Sequence, residues 1–204
     1  MCVIVAKPIK TKLPTWDILE DCFKSNPHGA GFMYTFANKV YIEKGYMTFG
    51  SLYKRIAELS KEINLYETPI VFHFRISTSG RINEGTCHPY PIDSRELTAV
   101  ETVTNLGVVH NGIIPMFSTA EYFYNDSFYN DTQLFTWNVL TPLYELNHNF
   151  LDNDEICELI ERLAESKLCF LTNDSELKLI GKFHEVNGNY YSNLYWKKRW
   201  YKQY

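Results

Sequence analysis

No apolar run in this sequence approaches the ~18 residues that a membrane-spanning helix needs. The opening apolar stretch, Cys2 to Ala6, stops at Lys7-Pro8, too soon for the hydrophobic core of a signal peptide. Cysteine is sparse: Cys2, Cys22, Cys87, Cys157 and Cys169 are odd in number, scattered and without CxxC spacing. That argues against a disulfide framework and a structural zinc site, and for reduced thiols in a cytosol. The Asn-X-Ser/Thr triplets at Asn125, Asn130 and Asn173 are then chance matches, because glycosylation requires secretion. Neither sign of charge dominates: the net charge is −4, which argues against a polyanion-binding protein. Internal repeats, linkers and low-complexity segments are lacking too.

What is present suffices for one domain with a small extension. The 204 residues are 45% hydrophobic, enough for a proper core. Cys2 to Ala6 reads as a short buried strand stopped by Pro8. Leu13-Pro14-Thr15 opens a helix through about Lys24, and Asn26-Pro27-His28-Gly29 is a turn. Gly29 to Tyr34 and Lys39 to Lys44 read as paired strands. Leu52, Ile56, Leu59 and Ile63 form a helical stripe within 49–63. Strands follow at 69–75 and 106–110, with a polar loop between them. A long helix starts at Asn130-Asp131-Thr132, with Asp131 or Thr132 as its cap and Pro142 as a bend or an end. A helix over 152–165 and strands at 167–171, 177–180 and 183–186 complete the pattern. Paired strands separated by paired helices predict an α+β fold with largely antiparallel sheets. Two sheets between two helical layers would bury Cys2 to Ala6 centrally.

The residues that carry chemistry stand where strands end. Cys2 directly follows the initiator Met. If Met1 is removed, one residue offers a thiol nucleophile and a free α-amine, which titrates near pH ~7.7–8.0 and can act as its base. His73 and Arg75 share one side of a strand, and the Arg75 guanidinium is a planar fork suited to a carboxylate. Ser77, Thr78 and Ser79 add hydroxyls. At Asn111-Gly112 a side-chain amide and a backbone N–H could stabilise an oxyanion. Asp131 could bind an ammonium group. Together these groups describe a site for an amino acid attacked at a side-chain carbonyl.

In order along residues 1–185, six stretches resemble a class II glutamine amidotransferase domain of the N-terminal nucleophile (Ntn) hydrolase superfamily. They are Met1-Cys2-Val3-Ile4, Asn26 to Phe32, His73 to Gly80, Cys87-His88-Pro89-Tyr90, Val109 to Gly112, and Asn130-Asp131-Thr132. The chain is most similar to short stand-alone members common in bacteriophage genomes. The resemblance implies a four-layer αββα sandwich over residues 1–186, followed by an aromatic and basic extension over 187–204. It implies that Cys2 attacks the amide of glutamine to give a thioester and release ammonia. It assigns Asn111 and Gly112 to the oxyanion hole, Arg75 and Thr78 to the α-carboxylate, and Asp131 to the α-ammonium. Gly29 and Gly31 fall in the glycine-bearing loop beside the nucleophile, and His28 and His88 join the substrate site. No metal or cofactor is implied.

Three departures from the family pattern stand out. Val3 follows the nucleophile in place of Gly. His28 replaces Asp, and Thr86-Cys87 replaces Asn-Ala before His88-Pro89. About twenty residues remain after the glutaminase-like region, too few for a domain that consumes ammonia. The expected activity is therefore hydrolysis of glutamine or another small amide, in phage–host conflict for instance, or delivery of ammonia to a separate protein. A catalytically silent metabolite-binding module is the alternative from another class. The expected location is the cytoplasm, that of the host if the chain is phage-encoded. No membrane partner is expected. The tail Tyr195 to Tyr201 interleaves aromatics with cations, a pattern that can stack on single-stranded nucleic acid, but the acidic whole argues against that partner.

Overall fold

Alternation along the strands decides how this chain layers. The computed structural model describes residues 1–78, 81–118 and 129–197. In β1 (Val3–Lys7) every residue is buried, so its sheet is covered on both faces. Val3 and Val5 pack with α1 (Trp16–Ser25) and α2 (Phe49–Glu62), while Ile4 and Ala6 face the other way. The same parity holds in β2 (Ala30–Phe36), where Phe32 and Tyr34 meet the helices and Met33 does not. It holds again in β4 (Ile70–Phe74), where Phe72 and Phe74 oppose Val71. With β3 (Lys39–Tyr46), these strands form the body of a seven-stranded sheet.

The smaller sheet has four strands: β5 (Tyr90–Pro91), β7 (Leu106–Asn111), β8 (Lys167–Thr172) and β9 (Leu177–Ile180). Val109, Cys169 and Leu171 point from it into an apolar layer shared with Ile4, Ala6, Met33 and Val71 of the large sheet. Val108, Leu168 and Phe170 point outward onto α6 (Asp154–Ala164) and the helical stretch 131–146. Among the described residues all strand pairings are antiparallel. The protein is thus α+β with two antiparallel sheets meeting across a common core. Among the described residues no helix is long and apolar enough to cross a membrane.

Several elements differ from the sequence reading. β6 (Glu101–Thr104) completes one edge of the large sheet, though its inward face is made of threonines, Thr102 and Thr104, with no apolar residue on it. After a short α3 (Pro115–Ser118), the helix expected from residue 130 is interrupted: α4 (Asp131–Phe135) passes through a π-helical turn over Thr136–Leu140 into α5 (Thr141–Leu146), where Pro142 sits in the first turn. Pro142 therefore starts a helical segment instead of ending one, because its missing N–H costs nothing in a first turn. Asn130, not Asp131 or Thr132, caps α4. Its side chain accepts from the Gln133 N–H at 2.9 Å, and Gln133 returns the bond to the Asn130 N–H.

Beyond residue 186 the sheet continues. β10 (His184–Val186) turns into β11 (Asn189–Tyr191), which pairs directly with β1. Trp196 is buried against Tyr191, with ring centroids 5.3 Å apart. That ring packs with the core and is not presented for stacking on bases. The rest of the aromatic and basic tail, from residue 198, lies outside the described residues, as do Ser79, Gly80 and Asn125.

Candidate functional site

The parity that builds the shared layer also sets what lies at its end. Cys2 continues the Ile4–Ala6 face of β1, Arg75 the Val71–His73 face of β4, and Asn111 the Val109 face of β7. The register pairs Val3 with Phe74 and Ile4 with His73, so Cys2 falls beside Arg75. A small cleft there is lined by Cys2, Arg75, Thr78, His88, Gly112 and Asp131. Its volume is about 20 Å³, space for one water, so an amino acid requires the surrounding loops to part. A larger concavity of about 520 Å³, between Lys10–Thr15 and Val186–Asn189, contains none of the expected site residues.

The Cys2 sulfur lies 3.4 Å from both the backbone N and O of Ile76. Burial pushes this thiol above the usual range; the Ile76 N–H and the nearby Arg75 cation pull it back, and the Asp131 carboxylate adds to the rise. Cys2 thus sits between groups of opposite charge. All five cysteines are free thiols.

Arg75 is buried. Its guanidinium donates to the Arg81 carbonyl at 3.1 Å and the Ser77 hydroxyl at 3.2 Å. The backbone around it is stitched to the turn 26–29: His28 N–H donates to Arg75 O and Arg75 N–H to Gly29 O. His28 does not line the cleft. Its Nδ1 accepts the Ser77 N–H at 2.9 Å and holds the strand end that carries Arg75 and Thr78.

Gly29 and Gly31 also stand behind the cleft. Gly29 has a φ of +110°, and a Cβ on it would meet the Cys87 sulfur at 2.5 Å. A Cβ on Gly31 would lie 2.2 Å from the His88 carbonyl oxygen. Both glycines let the Cys87-His88 segment approach β2, and so they shape the wall without facing the cleft.

On the opposite side, Asp131 accepts the Ile114 N–H through Oδ2 and the Thr132 N–H through Oδ1, both at 2.9 Å. The Gly112 N–H and Asp131 belong to segments held together by this carboxylate. Asn111 is brought to the end of the shared layer, yet its side-chain amide is turned to Ser192, with Nδ2 2.8 Å from Oγ.

Three buried histidines cluster here, and two of them, His88 and His110, line the cleft. His73 and His88 stack with centroids 4.0 Å apart, and His110 lies 6.4 Å from His88. Burial holds all three below the usual histidine range: His73 to about 3, His110 to about 4, and His88 well down. The Ser166 hydroxyl donates to Ala164 O, so His110 Nε2 carries the proton that Ser166 accepts, and Nδ1 accepts from Thr132. Neither ring nitrogen of His88 has a partner among the described residues, though the ring lines the cleft. A buried polar group without a partner is costly unless a ligand satisfies it. Among the described residues no group of three His, Cys, Asp or Glu is arranged to hold a metal ion.

Sequence reasoning missed the pair Ser192 and Asn193. Ser192 Oγ accepts the Ile4 N–H at 2.9 Å, and Asn193 Nδ2 donates to the Cys2 carbonyl at 2.7 Å. No motif marks two residues that reach Ile4 and Cys2 from 188 and 191 positions away; only the pairing of β11 with β1 puts them there. No family model matches this chain, and no curated protein matches it either.

Proposed function

We propose that this protein is an amidohydrolase of the class II glutamine amidotransferase type, with a four-layer αββα Ntn hydrolase fold. Two antiparallel sheets sharing one apolar layer, with helices packed on their outer faces, are compatible with that fold. The observation that carries the reading is a single cleft in which a thiol lies between a guanidinium and a carboxylate, above an unpartnered histidine. Opposite charges about a nucleophile suit a free amino acid, whose α-carboxylate Arg75 would take and whose α-ammonium Asp131 would take.

In this mechanism Cys2, freed of Met1, loses its thiol proton to its own α-amine. The thiolate attacks the side-chain carbonyl carbon of glutamine or a related small amide. The oxyanion forms within reach of the Gly112 N–H and Asn111. The C–N bond breaks, the nitrogen takes the proton held by the α-amine, and ammonia leaves. Water then hydrolyses the thioester and restores the thiol. Ammonia is released outright or taken up by a separate protein, in the cytoplasm of the cell or of a phage host.

One observation favours a second reading, a metabolite-binding module without turnover: the Asn111 amide donates to Ser192 and not to the cleft. Ammonia release across a panel of amides separates the two readings. An enzyme loses turnover in Cys2→Ser and about 10²–10³ in kcat in Asn111→Ala, with binding kept. A wild type that is silent throughout, with Cys2 unmodified by a glutamine-mimicking electrophile, refutes the amidohydrolase.

A further inference from the structure

Ser192 and Asn111 leave an unusual set of groups unpaired. Ser192 Oγ accepts two N–H groups, from Ile4 at 2.9 Å and from Asn111 at 2.8 Å. Its own proton then has no acceptor among the described residues. Asn111 Oδ1, on the other branch of the same amide, is buried and has no donor among the described residues. A side-chain amide turned by 180° keeps its shape and exchanges oxygen for nitrogen. After that turn the Ser192 hydroxyl donates to Asn111 Oδ1 while still accepting from Ile4. The unpaired Ser192 proton and the unpaired Oδ1 are satisfied together. What remains unspent is the Asn111 NH₂ group, buried at the end of the shared layer on the face that Cys2 also occupies.

We propose that Ser192 is the positioning residue that turns the Asn111 amide into an oxyanion donor. The hydroxyl is fixed by the backbone on both sides: Ser192 N–H donates to Ile4 O at 3.0 Å, and Ile4 N–H donates to the hydroxyl. The Lys167 ammonium donates to the Ser192 carbonyl. Asn193, next in the chain, holds the Cys2 carbonyl. One short segment after β11 thus bonds both the strand of the nucleophile and the amide opposite it. A donor left unpaired in the free protein and paired only when charge develops on the substrate oxygen is the arrangement that accelerates a reaction. The role rests on the amidohydrolase reading for its kinetic consequence, but not for the orientation itself.

Two measurements on the full chain test it. In kinetics on the best amide found, Ser192→Ala should lower kcat by about 10², the loss typical of one oxyanion donor, with KM within about twofold. Ser192→Thr, which keeps a hydroxyl, should recover most of that loss. Ser192→Ala combined with Asn111→Ala should be no slower than Asn111→Ala alone, because the two act through one group. Alkylation of Cys2 by a haloacetamide, which builds no oxyanion, should proceed at the wild-type rate in Ser192→Ala. An unchanged kcat, a multiplicative double variant, or a parallel fall in alkylation overturns the proposal; the last would mean that the hydroxyl only secures β1. Neutron diffraction on wild type reads the orientation without turnover. Deuterons of the Asn111 NH₂ group pointing away from Ser192, with the hydroxyl deuteron aimed at Asn111, support the proposal. NH₂ deuterons aimed at Ser192 overturn it. A wild type silent on every amide sinks the amidohydrolase, and the neutron result still decides the role of Ser192 in orienting Asn111.

Discussion

Acidification should unfold this protein at a higher pH than carboxylate titration alone would require, because three neutral histidines are locked in its interior. His73, His88 and His110 are buried, and all are held below the ordinary value near 6.5, His73 to about 3 and His110 to about 4. The sign follows from linkage. Depressed folded values mean that the unfolded chain binds protons first as pH falls, so stability is present above pH 6.5 and lost below it. Between pH 6.5 and 5 the three histidines together then cost on the order of several kcal/mol. Lys44, which burial holds to about 7, is largely protonated in both states there and leaves this window to the histidines. A loss of that size is comparable to the whole stability of many domains, about 5–15 kcal/mol. Urea unfolding followed by tryptophan fluorescence at pH 7.5, 6.5, 5.5 and 5.0 measures the slope, which should correspond to about three protons. His88→Leu removes one titrating ring that has no hydrogen-bond partner, and its slope should fall to about two. Stability that stays flat from pH 6.5 to 5, or a slope that His88→Leu leaves unchanged, would refute the reasoning.

Arg75→Ala removes a charge-assisted contact worth about 1.5–3 kcal/mol, so KM for a free amino acid should rise about tenfold or more, and unchanged kcat and KM would dismiss the clamp. In chain that retains Met1, the raised Cys2 thiol should be alkylated slowly at neutral pH, its rate still climbing beyond pH ~8.5. Intact-mass time courses check this, and a plateau below that pH would contradict it. Protein that begins at Cys2 should react faster at pH 7, and N-terminal sequencing of active material that still shows Met1 would rule out the α-amine as base. Gly31→Ala forces a Cβ to within 2.2 Å of the His88 carbonyl oxygen and 2.8 Å of Lys44 Cα, both backbone atoms. It should destabilise by about 1–3 kcal/mol or more in chemical denaturation, and a change inside ±0.5 kcal/mol would mean that the wall yields.

Local pattern carried much of this protein. The short apolar run at Cys2–Ala6, the stripe at Leu52, Ile56 and Leu59, and the turn glycine at 29 each announce their element, because hydrophobic pattern and φ preference act within a few residues. The same local logic placed Arg75, Asp131 and Gly112 at element ends, and the fold brings them to one cleft with Cys2. Other features depend on partners far along the chain. β6 has no apolar inward face, only Thr102 and Thr104, and pairs along the edge that β3 offers. Asn130 became the cap because Gln133 could reciprocate, a choice that Asp131 gave up to bind the Ile114 N–H. His28 became a backbone acceptor only once β4 ended beside it. Ser192 and Asn193 carry no sequence signal at all. Their hydrogen bonds to Ile4, Asn111 and Cys2 arise from strand pairing between the two ends of the chain, and pairing at that separation is set by which surfaces bury together, not by any neighbouring residue.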